Sequence, residues 1–412
     1  MSRRSMALSP RSFGFTLVIA GLAAMPPLSI DMSLPAMGAI GATLGAPPSQ
    51  TGLTLSLFMT GFALAQLGFG PLSDRFGRRA PLIGACALFT ASGLFCALAS
   101  GVGALLAWRF VEGAGAGGAT VLAFAIVRDR FEGVDARAKM GAISAVMTAA
   151  PMIAPSLGAL VLRVGDWRMI FLVLALAGLA LTAVVALAVD ESIPAHDPAA
   201  LSPRRLLRSY GRALTHRSAI GHSLIGALSF GCLFSFVSGS PFVFIGVLGL
   251  GTGGFALLFA ISSLGITAGS LLSARLLRTG FDPHGLLAAG VIGQAAFSLA
   301  LLALAALGAF RVADALPLVV LANLSMGVVA PLAVHGAMEP FADMAGVASA
   351  VRGCLQMLAG AAASALVAAL FRGTATALPL AMTIFAAGTV ASWFFLARPP
   401  ERLAAQIQAA RR

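Results

Sequence analysis

Long apolar segments separated by short polar ones constrain this chain more than any other feature of its sequence. A helix needs about 20 apolar residues to cross the hydrocarbon core of a bilayer. Because backbone in lipid must satisfy its own polar groups, such segments predict helices. We therefore predict an all-α polytopic membrane protein with twelve transmembrane helices, over 13–37, 50–72, 80–100, 103–127, 139–162, 167–189, 218–240, 252–274, 285–309, 313–338, 344–370 and 374–397.

The composition excludes several other classes of protein. Hydrophobic residues make up 59% of the chain and charged residues only 10%, whereas a soluble domain has about 25% charged residues. No Walker-type nucleotide motif and no metal-ligand spacing of Cys or His is present, so we expect neither a cofactor nor a metal. The four cysteines stand singly in apolar segments and predict no disulfide: Cys86, Cys96, Cys232 and Cys354.

The longest polar stretch, 190–217, divides the chain into two bundles of six helices, 13–189 and 218–397. The first helix begins near Phe13 and the seventh near Ser218, an offset of about 205 residues. The same offset carries the basic loop at 74–79 onto 279–284, beside Arg275 and Arg278. Two six-helix pseudo-repeats are typical of transporters that bind their substrate near the midplane between the halves.

The distribution of lysine and arginine predicts the orientation of the chain. Of the 27 basic residues, 21 fall in the even-numbered loops and the two termini, four in the odd-numbered loops, and two within spans. Since basic loops stay in the cytoplasm, both termini are expected there, and the net charge of +12 does not imply a nucleic-acid partner.

Arg3 and Arg4 imitate the start of a signal peptide. The apolar run continues past Asp31, however, so we expect a retained first helix.

Asp31 is the one charged residue between Ser12 and Ser73. A carboxylate within a span costs roughly 2.5–3.5 kcal/mol on insertion scales. It lies about 27 Å along the helix from Phe13, in the outer half of the membrane. We predict that Asp31 titrates and that its protonation drives transport. The alternative is a solvated, untuned carboxylate at the outer interface.

Arg109 and Glu112 in the fourth span are the other candidates for proton coupling. Arg109 lies about 9 Å from the outer end of its helix, at a depth similar to that of Asp31, so the two could meet. Alternatively, Arg109 only ties helices together through backbone carbonyls. Glu112 follows at the i,i+3 spacing that allows it to neutralise Arg109. It could equally be the titrating group itself.

The loop after the second span has the sequence GPLSDRFGRR at 70–79. It resembles the G-x-L-a-D-r-x-G-r-r signature of the major facilitator superfamily. That resemblance implies the major facilitator fold and a loop that locks and releases the two bundles. The alternative is that the basic residues of the loop serve only as a topology signal under the positive-inside rule. The glycines of the loop permit a tight turn, Asp74 can pair with a basic side chain, and its arginines anchor at the membrane surface. The predicted gating residues are Gly70, Asp74, Arg75, Gly77, Arg78 and Arg79.

Four further segments narrow the family: LSIDMSLP at 28–35, RFVEG at 109–113, APMIAPSLG at 150–158 and SPFVF at 240–244. Together they resemble the Bcr/CflA branch of bicyclomycin- and chloramphenicol-type drug:proton antiporters. By that resemblance, Pro151, Pro155 and Gly158 in the fifth span restrain leak between the halves, although tight packing would also need them. The chain departs from the branch at three positions. Glu112 stands where the branch usually has Gln or His, Leu332 stands where an Asn is common, and Arg352 stands where a small or apolar residue is expected.

A lipophilic drug would require an accommodating wall of aromatic and Met side chains between the bundles. Candidates lie in the second, seventh and eleventh spans, where contact with lipid or with neighbouring helices is the alternative role. These weaker predictions are Phe58, Met59, Phe62, Phe234, Phe236 and Gln356.

The sequence therefore predicts a secondary transporter that exchanges protons for lipophilic drugs. We expect a monomer in the inner membrane, in contact with lipid. One alternative is proton-coupled uptake of a small metabolite, against which the fifth-span motif argues. A second is a polytopic membrane enzyme, but no Ser/His/Asp arrangement or metal-ligand spacing supports one.

Overall fold

The computed structural model describes residues 8–193 and 196–397, without the side chains at 342 and 343. The basic residues expected to flank the spans at Arg3, Arg4 and from Arg398 onward lie outside the described residues. So do positions 194 and 195 of the linker.

The described residues form twelve helices long and apolar enough to cross a membrane, which confirms the predicted fold class. Six precede the linker and six follow it. They are α1 (Phe13–Leu44), α2 (Pro48–Phe76), α3 (Arg79–Ala97), α4 (Val102–Arg130), α5 (Gly133–Val164), α6 (Arg168–Ala188), α7 (Arg217–Val247), α8 (Thr252–Arg278), α9 (Pro283–Ala306), α10 (Val312–Phe341), α11 (Ala345–Leu370) and α12 (Ala377–Ala397).

Two spans extend well beyond their predicted ends, and both do so across a proline. In α1, regular helix ends at Asp31, a 3₁₀ turn covers Leu34–Ala36, and helix resumes to Leu44. In α7, a π-helical segment covers Pro241–Val247. A proline disrupts the helical hydrogen-bond ladder, so the pattern predicted a helix end where the structure has only a local irregularity. The start of α5 is also displaced by six residues, to Gly133 from 139, whereas the remaining helix ends lie within four residues of their predicted positions.

The described part of the linker contains one amphipathic helix, Pro203–Thr215, which we call the linker helix. Its arginines project from a helix that begins with Pro203, a favoured first helical residue. The Tyr210 hydroxyl donates a 2.7 Å hydrogen bond to the Leu67 carbonyl oxygen, which attaches the linker helix to α2.

Glycines bring the helices within each half into backbone contact. A Cβ on Gly61 in α2 would overlap the Phe110 carbonyl oxygen of α4, and a Cβ on Gly113 would overlap that of Phe58. In the second half, Gly265 and Gly327 make the corresponding contacts between α8 and α10. Gly113 and its neighbours therefore serve packing, which in a membrane favours small residues.

The two halves are joined on one side of the molecule and separate on the other. At the joined side, α2 and α11 exchange hydrogen bonds: the Ser56 hydroxyl donates to the Ala361 carbonyl at 2.9 Å, and Ser364 to that of Gly52 at 3.2 Å. Toward the side that carries the 70–79 loop and the linker helix, the halves diverge around a cavity of about 770 Å³.

Candidate functional site

Asp31 is buried at the point where the regular helix of α1 ends, with 4% of its surface exposed. The span continues from Asp31 to Leu44, a further 20 Å or so along the chain. The carboxylate therefore lies within the span and inside the protein, which argues against the solvated position at the outer interface. No described residue donates a hydrogen bond to its carboxylate or places a cation within 4 Å of it.

Arg109 and Glu112 form an ion pair inside the first half. Arg109 Nη1 donates to Glu112 Oε2 at 2.8 Å, and both side chains are fully buried. Ser29 of α1 completes the group: it accepts from Arg109 Nη1 at 2.7 Å and donates to Glu112 Oε1 at 2.7 Å. The Cys96 thiol contacts Glu112 Oε2 at 3.7 Å. The pairing predicted from the i,i+3 spacing is therefore present.

The Arg109 guanidinium also stacks on aromatic rings. Its Cζ lies 4.4 Å from the Phe58 ring centroid and 5.5 Å from that of Phe171, distances at which a cation is attracted to the ring face. The contact between Arg109 and Asp31 that their depths allowed does not form here, because Ser29 and Glu112 take that place. The ion pair cancels its own charge, whereas Asp31 stays without a described counter-charge.

The fifth-span motif packs directly against the segment that carries Asp31. A Cβ on Gly158 would overlap the Met32 carbonyl oxygen, so only glycine permits this approach of α5 to α1. Pro155 is buried and Pro151 half-buried within the same continuous helix. Since α5 also packs against α8, the helix that carries the motif contacts both the Asp31 segment and the second half.

Arg78 is the centre of the 70–79 loop. Its guanidinium donates to Asp74 at 2.5 Å, to Ser73 at 2.5 Å and to Asp129 at the end of α4 at 2.8 Å. Burial alone would lower the pKa of Arg78, but the hydrogen bonds and charges of Asp129 and Asp74 raise it. The guanidinium therefore stays charged and holds α2, the loop and α4 together.

Glu191, at the start of the linker, holds the backbone of the same loop. It accepts from the Arg78 amide at 2.8 Å and from the Arg79 amide at 3.1 Å. Burial acts to raise the pKa of Glu191, but the backbone N–H donors outweigh it and lower the pKa. Gly77 has φ of 87°, and a Cβ there would overlap Glu191, so the turn requires glycine.

The remaining gating candidates have looser surroundings. Arg75 is exposed and lies 5.3 Å from the Phe76 ring centroid. A Cβ on Gly70 would meet nothing within 4 Å, so no close approach of a neighbouring helix requires glycine there. Among the described residues, no hydrogen bond or ion pair joins the loop to the second half. Its partners, Asp129 and Glu191, lie too far away in sequence for a local motif to indicate.

The large cavity is lined by both halves, and only part of the predicted wall faces it. Phe62 and Gln356 line it, together with Gln66, Arg352, Phe124, Met147 and Met357, which the prediction of the wall did not include. The other four predicted residues are core residues that do not line it. Phe58 lies under Arg109, Met59 packs against Gly360, Phe234 against Phe230, and Phe236 against Phe244 and Phe259.

A second cavity of about 660 Å³ lies on the opposite face, between α1, α7 and the end of α11. Pro35 and Met37 line it on the side of α1. Pro35 follows Asp31 by about one helical turn. Asp31 lines neither cavity, but Pro35, four residues further along α1, lines the second one.

Comparison with known proteins agrees with this architecture. The model of the Major Facilitator Superfamily matches residues 17–364. The MFS-type transporter YdgK of Bacillus subtilis is 33% identical over 390 residues, which cover 93% of this chain and 94% of YdgK. A bicyclomycin resistance protein homolog of Haemophilus influenzae is 28% identical over 93% of this chain and 96% of its own length. The multidrug resistance protein MdtL of Escherichia coli is 29% identical over 83% and 85%.

Solved structures share the fold at low sequence identity. A D-xylose–proton symporter has a TM-score of 0.71 at 18% identity, covering 93% of this chain and 97% of the symporter. A bacterial homolog of the human lysosomal transporter Spinster, inward-facing and occupied, has a TM-score of 0.72 at 15% identity, covering 94% and 97%. The protein is thus a multi-pass transporter of the major facilitator superfamily, with relatives in the drug-resistance branch that its motifs resemble.

Proposed function

We propose that the protein exports lipophilic drugs from the cytoplasm in exchange for protons. The observation that carries this proposal is the placement of Asp31. Its carboxylate is buried within a span, has no described counter-charge, and belongs to the segment of α1 that packs against Gly158 of the fifth-span motif. A buried carboxylate without a partner is costly as an anion, and protonation removes that cost. The names of the H. influenzae and E. coli relatives supply the drug class.

The two cavities support an order of steps. The basic side of the molecule is taken as cytoplasmic, so the 770 Å³ cavity is the one a drug enters while Asp31 is deprotonated. Once the halves rock, the opposite face opens above Asp31 through the region of the 660 Å³ cavity. External protons then neutralise Asp31, the drug leaves, and the protonated carrier returns with less charge in its core.

Arg109 and Glu112 act as a fixed scaffold in this cycle. Each satisfies the charge of the other, and Ser29 bonds both of them two residues before Asp31. The pair thus positions the segment of α1 that carries the titrating carboxylate. Glu112 is a less suitable proton carrier, because its oxygens already accept from Arg109 and Ser29.

The test uses everted membrane vesicles that contain the protein in the inner membrane, with both termini facing the bath. Acidification of the vesicle lumen should drive accumulation of radiolabelled chloramphenicol, and nigericin should abolish it. A proton-coupled uptake carrier would move its substrate the other way. Accumulation that persists after the gradient has collapsed would contradict antiport.

Asp31→Asn should reduce gradient-driven accumulation to background while the protein still inserts, because asparagine cannot exchange a proton. Asp190→Asn is the matched control, since Asp190 is an exposed carboxylate outside the spans. Full activity of Asp31→Asn would transfer the coupling role to another group, with Glu112 next to be tested.

A further inference from the structure

Arg352 is a charged residue within a span, and the proposed export cycle assigns it no role. It lies on α11, about 10 Å along the helix from Ala345, and lines the 770 Å³ cavity. Its Nη1 donates to Gln356 Oε1 at 2.8 Å, while its Nε is buried without a hydrogen-bond partner. Among the described residues no carboxylate lies within 4 Å of the guanidinium.

The second arginine within a span shows how this chain satisfies a structural guanidinium. The Nε and Nη2 of Arg109 also have no hydrogen-bond partner, but its charge is matched by Glu112 at 2.8 Å and its guanidinium lies over two aromatic faces. Arg352 has a neutral amide in place of the carboxylate, and its Nε–Nη2 edge makes no hydrogen bond to any described residue. The guanidinium of Arg352 therefore keeps a charge that no described carboxylate neutralises, and a planar guanidinium is well suited to bind the carboxylate of a ligand.

The charge of the cavity wall favours an anion. Six arginines and two aspartates line it. Both aspartates are already engaged, Asp74 by Arg78 and Asp197 by Arg205. The arginines at the mouth also follow from the positive-inside rule, but Arg352 lies within a span, where that rule gives no reason for it. A concave wall of one sign concentrates ligands of the other sign.

The rest of the cavity suits an apolar body attached to that anion. Phe62, Phe124, Met147 and Met357 line it with aromatic and thioether surface. Gln66, also in the wall and packed against Gly353, brings an amide from the first half close to the α11 turn that carries Arg352. Gln356 keeps its amide nitrogen as a donor because its oxygen accepts from Arg352.

We propose that the cavity binds amphiphilic carboxylates, with the guanidinium of Arg352 on the carboxylate and the aromatic and Met side chains on the apolar body. This inference rests on the proposed export function for its direction of transport, but the binding site itself needs no gradient. Cationic compounds of similar size are disfavoured by the same wall.

The test measures binding of two matched probes to the full-length protein in lipid nanodiscs. Radiolabelled 2-naphthoate and 2-naphthamide share one ring system and differ in the charge of the attached group. Wild type should bind the carboxylate about tenfold or more tightly than the amide, since hydrogen bonds to a charged group are the stronger kind. Equal affinity of wild type for the two probes would overturn the inference.

Two variants locate the preference. Arg352→Gln should lose the tenfold preference and keep its affinity for 2-naphthamide, and Arg352→Lys should retain part of it, because lysine keeps the charge without the planar fork. Arg278→Gln, an exposed arginine on the same side of the molecule but outside the cavity wall, should bind both probes as wild type does. An unchanged preference in Arg352→Gln would also overturn the inference.

The outcomes separate this inference from the export proposal. Wild type that accumulates chloramphenicol in everted vesicles but shows no preference for 2-naphthoate contradicts only the carboxylate site. Wild type that prefers 2-naphthoate but shows no gradient-driven accumulation contradicts only the export cycle.

Discussion

The two halves of the molecule share their helix packing but differ in the charge they bury. Gly61 and Gly113 join α2 to α4 in the first half, as Gly265 and Gly327 join α8 to α10 in the second. The first half encloses the Arg109–Glu112 pair and Asp31. The corresponding core of the second half holds neutral amides, Asn323 on the Ser262 carbonyl and Gln294 on Ser229.

The break in the first helix of each half shows the same division. Pro35 in α1 and Pro241 in α7 are separated by 206 residues and both begin or lie in an irregular turn. At that offset the residue matching Asp31 is Val237. The repeat therefore accounts for the fold, whereas the ionisable group that the export cycle needs belongs to one half only.

The loops between the second and third helices of each half extend the comparison. Gly77 and Gly280 turn the chain with nearly equal φ, 87° and 89°. Around Gly77, Arg78 and Glu191 bind the loop to α4 and the linker. Around Gly280, Asp282 accepts from the Gly285 amide of its own helix. Among the described residues, hydrogen bonds tie this turn to distant elements in the first half and not in the second.

The largest expected effect on this comparison comes from unpairing the buried arginine. Glu112→Gln would leave Arg109 charged and without a carboxylate, which should lower the free energy of unfolding by about 3–5 kcal/mol. The measurement is SDS-induced unfolding of purified protein in mixed micelles. The double variant Arg109→Met with Glu112→Met should recover most of the loss, because the charge is removed with its partner.

The matched change in the second half is Gln294→Leu, which removes two neutral hydrogen bonds to Ser229. Its expected loss is smaller, about 1–2 kcal/mol. If Gln294→Leu were as destabilising as Glu112→Gln, the buried ion pair of the first half would contribute no more to the free energy of unfolding than the neutral amide of the second.

The next effect is predicted to be equal in the two halves. Gly113→Ala and Gly327→Ala each place a methyl group on a backbone carbonyl of the facing helix, that of Phe58 or Ile266. Forcing those helices apart should lower the free energy of unfolding by about 1–3 kcal/mol in either half. The same SDS titration measures both variants.

The controls are Gly103→Ala in α4 and Gly253→Ala in α8, where an added Cβ meets nothing within 4 Å. There the change should be neutral or slightly stabilising, since alanine is the better helix former. A large difference between Gly113→Ala and Gly327→Ala would show that the two interfaces are not equivalent.

The sequence allowed prediction of those features whose signal is local or additive. Twelve apolar runs predict twelve spans, a lone carboxylate in such a run identifies Asp31, and the i,i+3 spacing predicts the Arg109–Glu112 pair. The two proline-containing ends were placed seven residues early, because an interrupted pattern does not reveal that helix resumes beyond it.

What could not be predicted depends on contacts between distant segments. Ser29 lies 80 residues from Arg109, and Glu191 lies 113 from Arg78. The face of each helix that lines the cavity was equally hidden, because helices in this core are apolar on several sides and carry no periodic stripe. This is why Phe62 lines the cavity while Phe58, one turn earlier on α2, packs under Arg109.

The smallest expected effect tests whether the turn of the first half is held by an ionised carboxylate. N–H donors lower the pKa of Glu191 below its ordinary value of 4.5. Above that value the carboxylate is fully ionised and stabilises the loop through its hydrogen bonds from the Arg78 and Arg79 amides. This stabilisation is lost as the pH falls through the lower pKa of the folded state. Hydrogen exchange, corrected for its intrinsic pH dependence, should show the protection of the Arg78 and Arg79 amides falling a few-fold under acidic conditions. Glu191→Gln should remove this pH dependence.

The turn of the second half provides the internal reference for that measurement. The Gly280 amide donates to the Leu277 carbonyl oxygen at 3.2 Å, and a carbonyl does not titrate. Its protection should therefore stay constant over the range in which that of Arg78 and Arg79 falls. A parallel loss at Gly280 would mean that acid loosens both halves together, and Glu191 would then not distinguish the turn of the first half from its counterpart.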